Sequence, residues 1–148
     1  MKRILVPIDF SQVTDAVIKA AIEQAQAFGA MVNLMNVAAP EPDFVGFKAG
    51  PDSVRKSQVT KVCDFRHELY VYKEQLEKAG IKTKALMIQG PTVEKILQEA
   101  TRWKADQIII GSHGHGKLYK LLLGSTSAAV LKKAGCPVLI ISSQNVKK

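Results

Sequence analysis

The chain has 148 residues, of which 47% are apolar and 23% are charged, and its formal net charge is +8. This length is enough for one domain with a real core and too short for two ordinary ones, and the apolar content fits a globular protein. No stretch approaches the roughly 18 apolar residues of a membrane span, and no signal-peptide cleavage site follows the N-terminus, so neither a membrane partner nor secretion is expected.

The first part of the chain predicts two strands, one helix and a long loop. Residues 3–8 form a short apolar run typical of a strand, and Ser11 is the expected cap of a helix over 13–28. That helix has a helically spaced apolar stripe from Val13 to Phe28 and should end at Gly29. Residues 31–37 predict a second strand. The loop that follows, 38–53, is long for a compact domain and is typical of a binding loop, a lid or disorder.

The rest of the chain predicts three further helices and three further strands. The helices are expected over 54–79, 92–103 with Thr92 as its cap, and 125–134. The strands are expected over 82–88, 106–110 and 137–142. Strands and helices therefore alternate, and the strands are nearly continuous apolar runs, as in strands buried on both faces. This pattern predicts an α/β fold with a parallel sheet between two layers of helices.

Two polar or glycine-rich segments directly follow strands in this scheme. Asp9 comes after the first strand, and Gly111 comes after the fourth. Parallel sheets bind ligands outside the carboxyl ends of their strands, where the strand order reverses. If the first and fourth strands are neighbours, Asp9 and Gly111 face each other across one crevice.

The glycine-rich segment GSHGHGKLYKLLLGSTS, 111–127, does not fit the two common nucleotide motifs. A phosphate-binding loop needs Ser or Thr after its Gly-Lys pair to bind magnesium, and Leu118 stands there. A dinucleotide motif needs a third glycine where Tyr119 stands. The spacing that remains is G-x2-G-x9-G, formed by Gly111, Gly114 and Gly124 and followed by Ser125.

This spacing has a physical interpretation as an anion site. Gly111 and Gly114 allow the backbone to approach a ligand closely. Gly124 and Ser125 begin the helix predicted over 125–134, whose first N–H groups and positive dipole end favour a phosphate. The hydroxyls of Ser125, Thr126 and Ser127 are further donors.

The chain closely resembles the universal stress protein family, specifically its ATP-binding branch. The resemblance extends from ILVPID at the start to ADQIIIGSHGHGKLYKLLLGSTSAAVLKKAGCPVLIIS near the end. It implies a single universal stress protein domain over 1–148, with the Rossmann-like sandwich that the family shares with adenine nucleotide alpha-hydrolases. It also implies a five-stranded parallel sheet of order 3-2-1-4-5, in which strands one and four are neighbours.

The resemblance also implies a site for ATP, with Mg²⁺ or Mn²⁺ carried mainly on the phosphates. Asp9 is expected beside the adenosine as a hydrogen-bond acceptor, and Val37 is expected to contact the adenine edge through its backbone. The residues that match the family's nucleotide site are Pro7, Ile8, Asp9, Val37, Ile110, Gly111, His113, Gly114, Gly124, Ser125, Thr126 and Ser127.

No metal-binding or catalytic set of side chains is expected. His113 and His115 have no third ligand at metal spacing, and Cys63 and Cys136 lie outside any CxxC pattern. The isolated cysteines favour a reducing compartment, the cytoplasm. Relatives in the family pair through their last strand, so a homodimer through residues 137–142 is expected.

The resemblance implies a regulatory stress-response protein that binds ATP, and two other functions stay open. A slow ATPase or another nucleotide-hydrolysing enzyme on the same fold is one, although no general base or arginine finger is evident. A nucleic-acid binder is the other, since six lysines and no acidic residue lie between Gly111 and the C-terminus. The few aromatic residues and the absence of a known motif make nucleic acid an unlikely partner.

Overall fold

The computed structural model describes residues 1–38, 52–112 and 124–142, and for 52–62 it describes the backbone alone. Five strands and four helices alternate along the described chain. In chain order they are β1 Arg3–Pro7, α1 Thr14–Phe28, β2 Met31–Ala38, α2 Asp52–Lys78, β3 Thr83–Gln89, α3 Thr92–Trp103, β4 Gln107–Ser112, α4 Ser125–Lys133 and β5 Val138–Ser142.

The strands form one parallel sheet with the order β3-β2-β1-β4-β5. β1 lies at its centre, with Val6 opposite Leu34 of β2 and Leu5 opposite Ile108 of β4. The strand order therefore reverses between β1 and β4. This confirms the expected fold class and the adjacency of the first and fourth strands.

The sheet separates two apolar cores, which makes the fold a three-layer sandwich. One core lies under α1 and α2 and contains Val6, Ile18 and Leu76, all fully buried. The other lies under α3 and α4 and contains Leu5 and Ile108. Neighbouring residues of β1 face opposite cores because side chains alternate along a strand. Burial on both faces explains why the strands are continuous apolar runs.

Helix ends follow simple backbone signals. Gly29 ends α1 with φ of 61°, in the left-handed region that glycine adopts without steric cost, and its N–H bonds to the carbonyl of Ala25. The predicted boundaries of all nine elements agree with the observed ones within two residues.

Three details of the predicted helices are wrong. Val13, and not Ser11, is the N-cap of α1, and the Ser11 hydroxyl is buried with no partner among the described residues. Thr92 is the first residue of α3 and does not cap it, since Pro91 holds that position without a side-chain hydrogen bond. Phe28 is 52% exposed, so the buried apolar stripe of α1 ends at Ala25, which is 1% exposed.

A buried polar contact joins the sheet to α3. Asn33 of β2 donates a hydrogen bond of 2.9 Å to Glu99, and both residues are 3% exposed. Arg102 completes the contact by donating to both carboxylate oxygens of Glu99, at 2.8 and 2.9 Å. The carboxylate is thereby paired although it lies in the core, as a buried charge requires.

Within the described part of the chain, every helix is too short or too polar to cross a bilayer.

Candidate nucleotide site

A cavity of about 200 Å³ opens at the carboxyl ends of the central strands. It lies where β1 and β4 are neighbours, between the start of α1 on one side and the starts of α3 and α4 on the other. Its lining residues are Pro7, Ile8, Asp9, Val13, Thr14, Val17, Val37, Thr92, Ile96, Ile110, Gly111 and Thr126. Most of the described wall is aliphatic, and its polar side chains are one carboxylate and three threonines.

The β1 side of the cavity is fixed by hydrogen bonds to β2. The N–H of Ile8 donates to the carbonyl of Met35 at 2.8 Å, and the side-chain amide of Asn36 donates to the carbonyl of Ile8 at 2.9 Å. Both polar groups of Ile8 are therefore held in place. Asp9 follows directly and is exposed at the cavity, where its carboxylate accepts the N–H of Ser11 at 3.2 Å.

Phe10 turns the chain away from the cavity. Its φ of 59° lies in the left-handed region, which is uncommon for a residue with a side chain. Its ring stacks on the rings of Phe65 and Tyr72 of α2, with centroids 5.2 and 6.5 Å away. These aromatic contacts hold the turn that carries Asp9 against α2.

The β4 side of the cavity depends on the missing side chain of Gly111. A Cβ atom placed on Gly111 would overlap Cγ1 of Val13 and lie 3.2 Å from Cγ2 of Val17. α1 can therefore pack closely on the end of β4 only if residue 111 is glycine. Glycine at this position has a packing role as well as the ligand role expected from the sequence.

The start of α4 closes the third side of the cavity. Gly124 is its N-cap, and no side chain caps the helix in the usual way. The first N–H groups of a helix have no intrahelical partner, and its N-terminal end carries a partial positive charge. Thr126, in this first turn, lines the cavity. The arrangement presents main-chain donors at one end of an otherwise aliphatic pocket.

The cavity brings together seven of the twelve residues predicted for the site. They come from β1 and the turn after it, from β2, from β4 and from α4, and they are Pro7, Ile8, Asp9, Val37, Ile110, Gly111 and Thr126. Gly124, Ser125 and Ser127 lie beside it at the start of α4 without lining it. His113 and Gly114 lie outside the described residues.

Five lining residues were missed from the sequence: Val13, Thr14, Val17, Thr92 and Ile96. They lie at the N-cap and in the first turn of α1 and in the first two turns of α3, helices that follow β1 and β3. A helix that follows a parallel strand begins at the carboxyl edge of the sheet, where ligands bind. The position of these residues at the start of their helices could therefore have indicated that they line the site. Thr14 is 1% exposed, and its hydroxyl has no partner among the described residues.

The described residues contain no group of three or more His, Cys, Asp or Glu side chains that could hold a metal ion. Asp9 is the single carboxylate among the described residues that line the cavity. Lys132 and Lys133 lie in the last turn of α4, at the end of the helix remote from the cavity. Their positive charges interact favourably there with the negative end of the helix dipole. The other four C-terminal lysines lie outside the described residues.

The sequence matches the model of a known protein family, described as the universal stress protein family, over residues 1–142. A similar curated protein is universal stress protein MJ0531 of Methanocaldococcus jannaschii, which is 34% identical over 140 residues. The alignment covers 95% of this chain and 81% of that protein.

Solved structures share the fold over nearly the whole chain. The structure of MJ0577 has a TM-score of 0.76 and 29% identity, and the match covers 95% of both chains. A universal stress protein in complex with cAMP has a TM-score of 0.70 at 20% identity, with 96% of this chain and 97% of that chain covered. One from Archaeoglobus fulgidus in complex with dAMP has a TM-score of 0.64 at 20% identity, with 95% and 98% covered.

Proposed function

Because the chain belongs to the universal stress protein family, we propose that it is a regulatory protein that binds ATP in the cavity between β1 and β4. The observation that carries the proposal is the position of that cavity. It lies at the switch point of the strand order, and aliphatic side chains line it beside the start of a helix. The complexes of two fold neighbours with cAMP and dAMP support an adenine nucleotide as the ligand.

The cavity suits the adenosine part of the ligand. Its volume of about 200 Å³ is below the roughly 300–1,000 Å³ of sites that enclose drug-sized ligands. Val37 and Ile110 supply apolar contact for a base, and the carboxylate of Asp9 is an acceptor for ribose hydroxyls. The phosphates then extend toward the N–H groups of Ser125 and Thr126 at the start of α4.

A divalent ion fits this site only as part of the nucleotide complex. The described lining offers one carboxylate, which is too few to build an all-protein site, and Mg²⁺ commonly binds through substrate phosphates, waters and one or two carboxylates. Asp9, which lines the cavity, is proposed as the ribose acceptor, so the phosphates themselves would carry the ion. The ion would neutralise phosphate charge, and the helix start and Asp9 would hold the nucleotide.

Isothermal titration calorimetry tests the proposal directly. We expect ATP to bind to the purified protein, and Asp9→Ala to weaken binding about tenfold because a ribose acceptor is lost. Asp64→Ala is the matched control, since Asp64 is an exposed carboxylate on α2. No heat of binding at millimolar ATP, with or without Mg²⁺, would reject the proposed ligand.

We also propose that the protein is a homodimer that pairs through residues 137–142. β5 is an edge strand with a half-buried apolar sequence, and an unpaired edge of this kind is a template for another strand. Leu131 of the neighbouring α4 is 46% exposed and extends the apolar surface. Sedimentation equilibrium at micromolar concentration should give twice the chain mass, and a monomer alone would refute the dimer.

The cytoplasm is the compartment that we propose for this dimer. Both Cys63 and Cys136 are free thiols, which fits a reducing environment. Fractionation of cells followed by detection of the protein tests this assignment.

A further inference from the structure

Two serine hydroxyls hold Gly124 from opposite sides. The N–H of Gly124 donates to Oγ of Ser112, at the end of β4, over 2.8 Å. The carbonyl of Gly124 accepts two hydrogen bonds, one from the hydroxyl of Ser127 at 2.9 Å and one from the N–H of Ala128 at 2.9 Å. The peptide groups on both sides of Gly124 are therefore fixed, one to the sheet and one to the first turn of α4.

Both serines are buried, so water competes poorly for these hydrogen bonds. Ser112 is 5% exposed and Ser127 is 1% exposed. Neither residue lines the cavity. Their contact with a ligand in the cavity is thus indirect, through the backbone of Gly124.

We propose that Ser112 and Ser127 are positioning residues that aim the first N–H groups of α4 at the phosphates of the bound nucleotide. The inference rests on the proposed nucleotide function and deepens it, because it assigns the selectivity for the phosphate chain to residues outside the cavity. Ser112 is the more informative of the two. It ties α4 to the end of β4, the strand whose Ile110 and Gly111 line the cavity.

The geometry explains why a hydroxyl is needed at residue 112. A helix start is a directional site, since its N–H groups point along the helix axis and their effect falls off within the first turn. Ser112 uses its oxygen to satisfy the N–H of Gly124, which leaves the N–H groups of Ser125 and Thr126 for an anion. Alanine at 112 leaves the N–H of Gly124 unpaired in a partly buried place and releases the turn from the sheet.

Measurements of ATP and adenosine binding on the full-length protein test the inference. Ser112→Ala should raise the Kd for ATP about tenfold, and the Kd for adenosine, measured in competition, should change less than twofold. Ser127→Ala should likewise raise the Kd for ATP and leave the Kd for adenosine nearly unchanged. Loss of general stability would weaken both ligands alike, so the ratio of the two Kd values separates positioning from folding.

Thr83→Ala is the matched control, because Thr83 is also buried and its hydroxyl donates to the carbonyl of Ile81 at 3.0 Å, but it lies at the start of β3, away from the carboxyl edge of the sheet. It should leave both Kd values unchanged. If the wild type binds ATP and both Ser112→Ala and Ser127→Ala keep the wild-type ratio of Kd values, the inference is wrong and the nucleotide function stands. If the wild type binds neither ligand, the proposed function fails and the inference fails with it.

Discussion

The ring of Phe10 lies parallel to the ring of Phe65, with centroids 5.2 Å apart and planes inclined by 5°. The stack joins the turn after β1, which carries Asp9, to helix α2. Phe10 holds a left-handed φ of 59° in this arrangement, which costs about 1–2 kcal/mol for a residue with a Cβ atom. Aromatic contacts with α2 offset part of that cost, so the shape of the cavity between β1 and β4 depends on a helix none of whose described side chains lines it.

Removal of the Phe65 ring tests whether the stack on Phe10 stabilises the fold. Phe65→Ala should lower the free energy of unfolding by about 1 kcal/mol, the usual value of an aromatic pair, as measured by urea denaturation. Phe28→Ala is the control, because Phe28 is 52% exposed in the last turn of α1. Equal losses for the two variants would mean that the stack adds no stability beyond ordinary surface contact.

Addition of a methyl group to Gly111 should disturb the packing of α1 on β4. Gly111→Ala places Cβ against Val13 and Val17, and overpacking of this kind costs about 1–3 kcal/mol. Thermal unfolding should therefore show a lower Tm even without nucleotide. Gly135→Ala provides the comparison, since a Cβ atom there has nothing within 4 Å and its Tm should stay close to the wild type. An unchanged Tm for Gly111→Ala would contradict the packing role.

Tyr72 should ionise later than an ordinary tyrosine. Burial first, then the 2.8 Å hydrogen bond that Tyr72 donates to Asp15, and then the negative charges of Asp15 and Glu68 raise the pKa of Tyr72 to about 12. The raised pKa means that the folded state holds the phenol proton more tightly than the unfolded state. The resulting stability is fully present below pH 10 and disappears as the pH rises through 12.

Titration of the Tyr72 ring by NMR measures this pKa. Asp15→Asn removes the charge and keeps an acceptor oxygen for the phenol, so the pKa of Tyr72 should fall part of the way toward 10. Asp64→Asn, at an exposed position of α2, should leave it unchanged. The assigned causes are incorrect if Asp15→Asn has no effect on the titration.

Asp106 should tie the start of β1 to β4 in a pH-dependent way. Its carboxylate accepts the backbone N–H groups of Lys2 at 2.7 Å and Arg3 at 2.9 Å, and these bonds hold the pKa of Asp106 below its usual value. A lowered pKa stabilises the fold above the unfolded-state pKa of about 3.9. That stability is lost as the pH falls through the lower pKa of the folded state.

Urea denaturation at two pH values tests the contact. Asp106→Asn should be less stable than the wild type at pH 7, and the difference should shrink at a pH low enough to protonate Asp106. Asp64→Asn should show no such difference at neutral pH. A stability difference that is independent of pH would assign the effect of Asp106→Asn to shape alone.

Arg102 should be needed to keep the buried carboxylate of Glu99 paired. The side chain of Glu99 is 4% exposed. In Arg102→Ala its carboxylate keeps the hydrogen bond from Asn33 and loses those from Arg102. The variant should unfold at a lower urea concentration than the wild type, because the buried carboxylate loses the two hydrogen bonds that Arg102 donates. Arg66→Ala, at an exposed position of α2, is the control in the same urea experiment. A loss at position 102 no greater than at position 66 would show that solvent satisfies Glu99.

The sequence by itself determined the elements, their order and the edge of the sheet that holds the cavity. Apolar runs mark strands buried on both faces, and apolar residues at helical spacing mark helices with one buried side, since burial of apolar surface stabilises both. Asp9 and Gly111 could be related before the structure because carboxyl ends of parallel strands share one edge. The order of the strands came from the resemblance to a family.

Tertiary structure alone decided which side chains meet at that edge. Ser112 and Gly124 are twelve positions apart and become partners only when α4 returns to the end of β4. The same holds for the expected caps: neither Ser11 nor Thr92 caps its helix, because capping needs a short and directional hydrogen bond. Periodic burial can be read along the chain, whereas an individual hydrogen bond depends on atomic distances that only the folded chain sets.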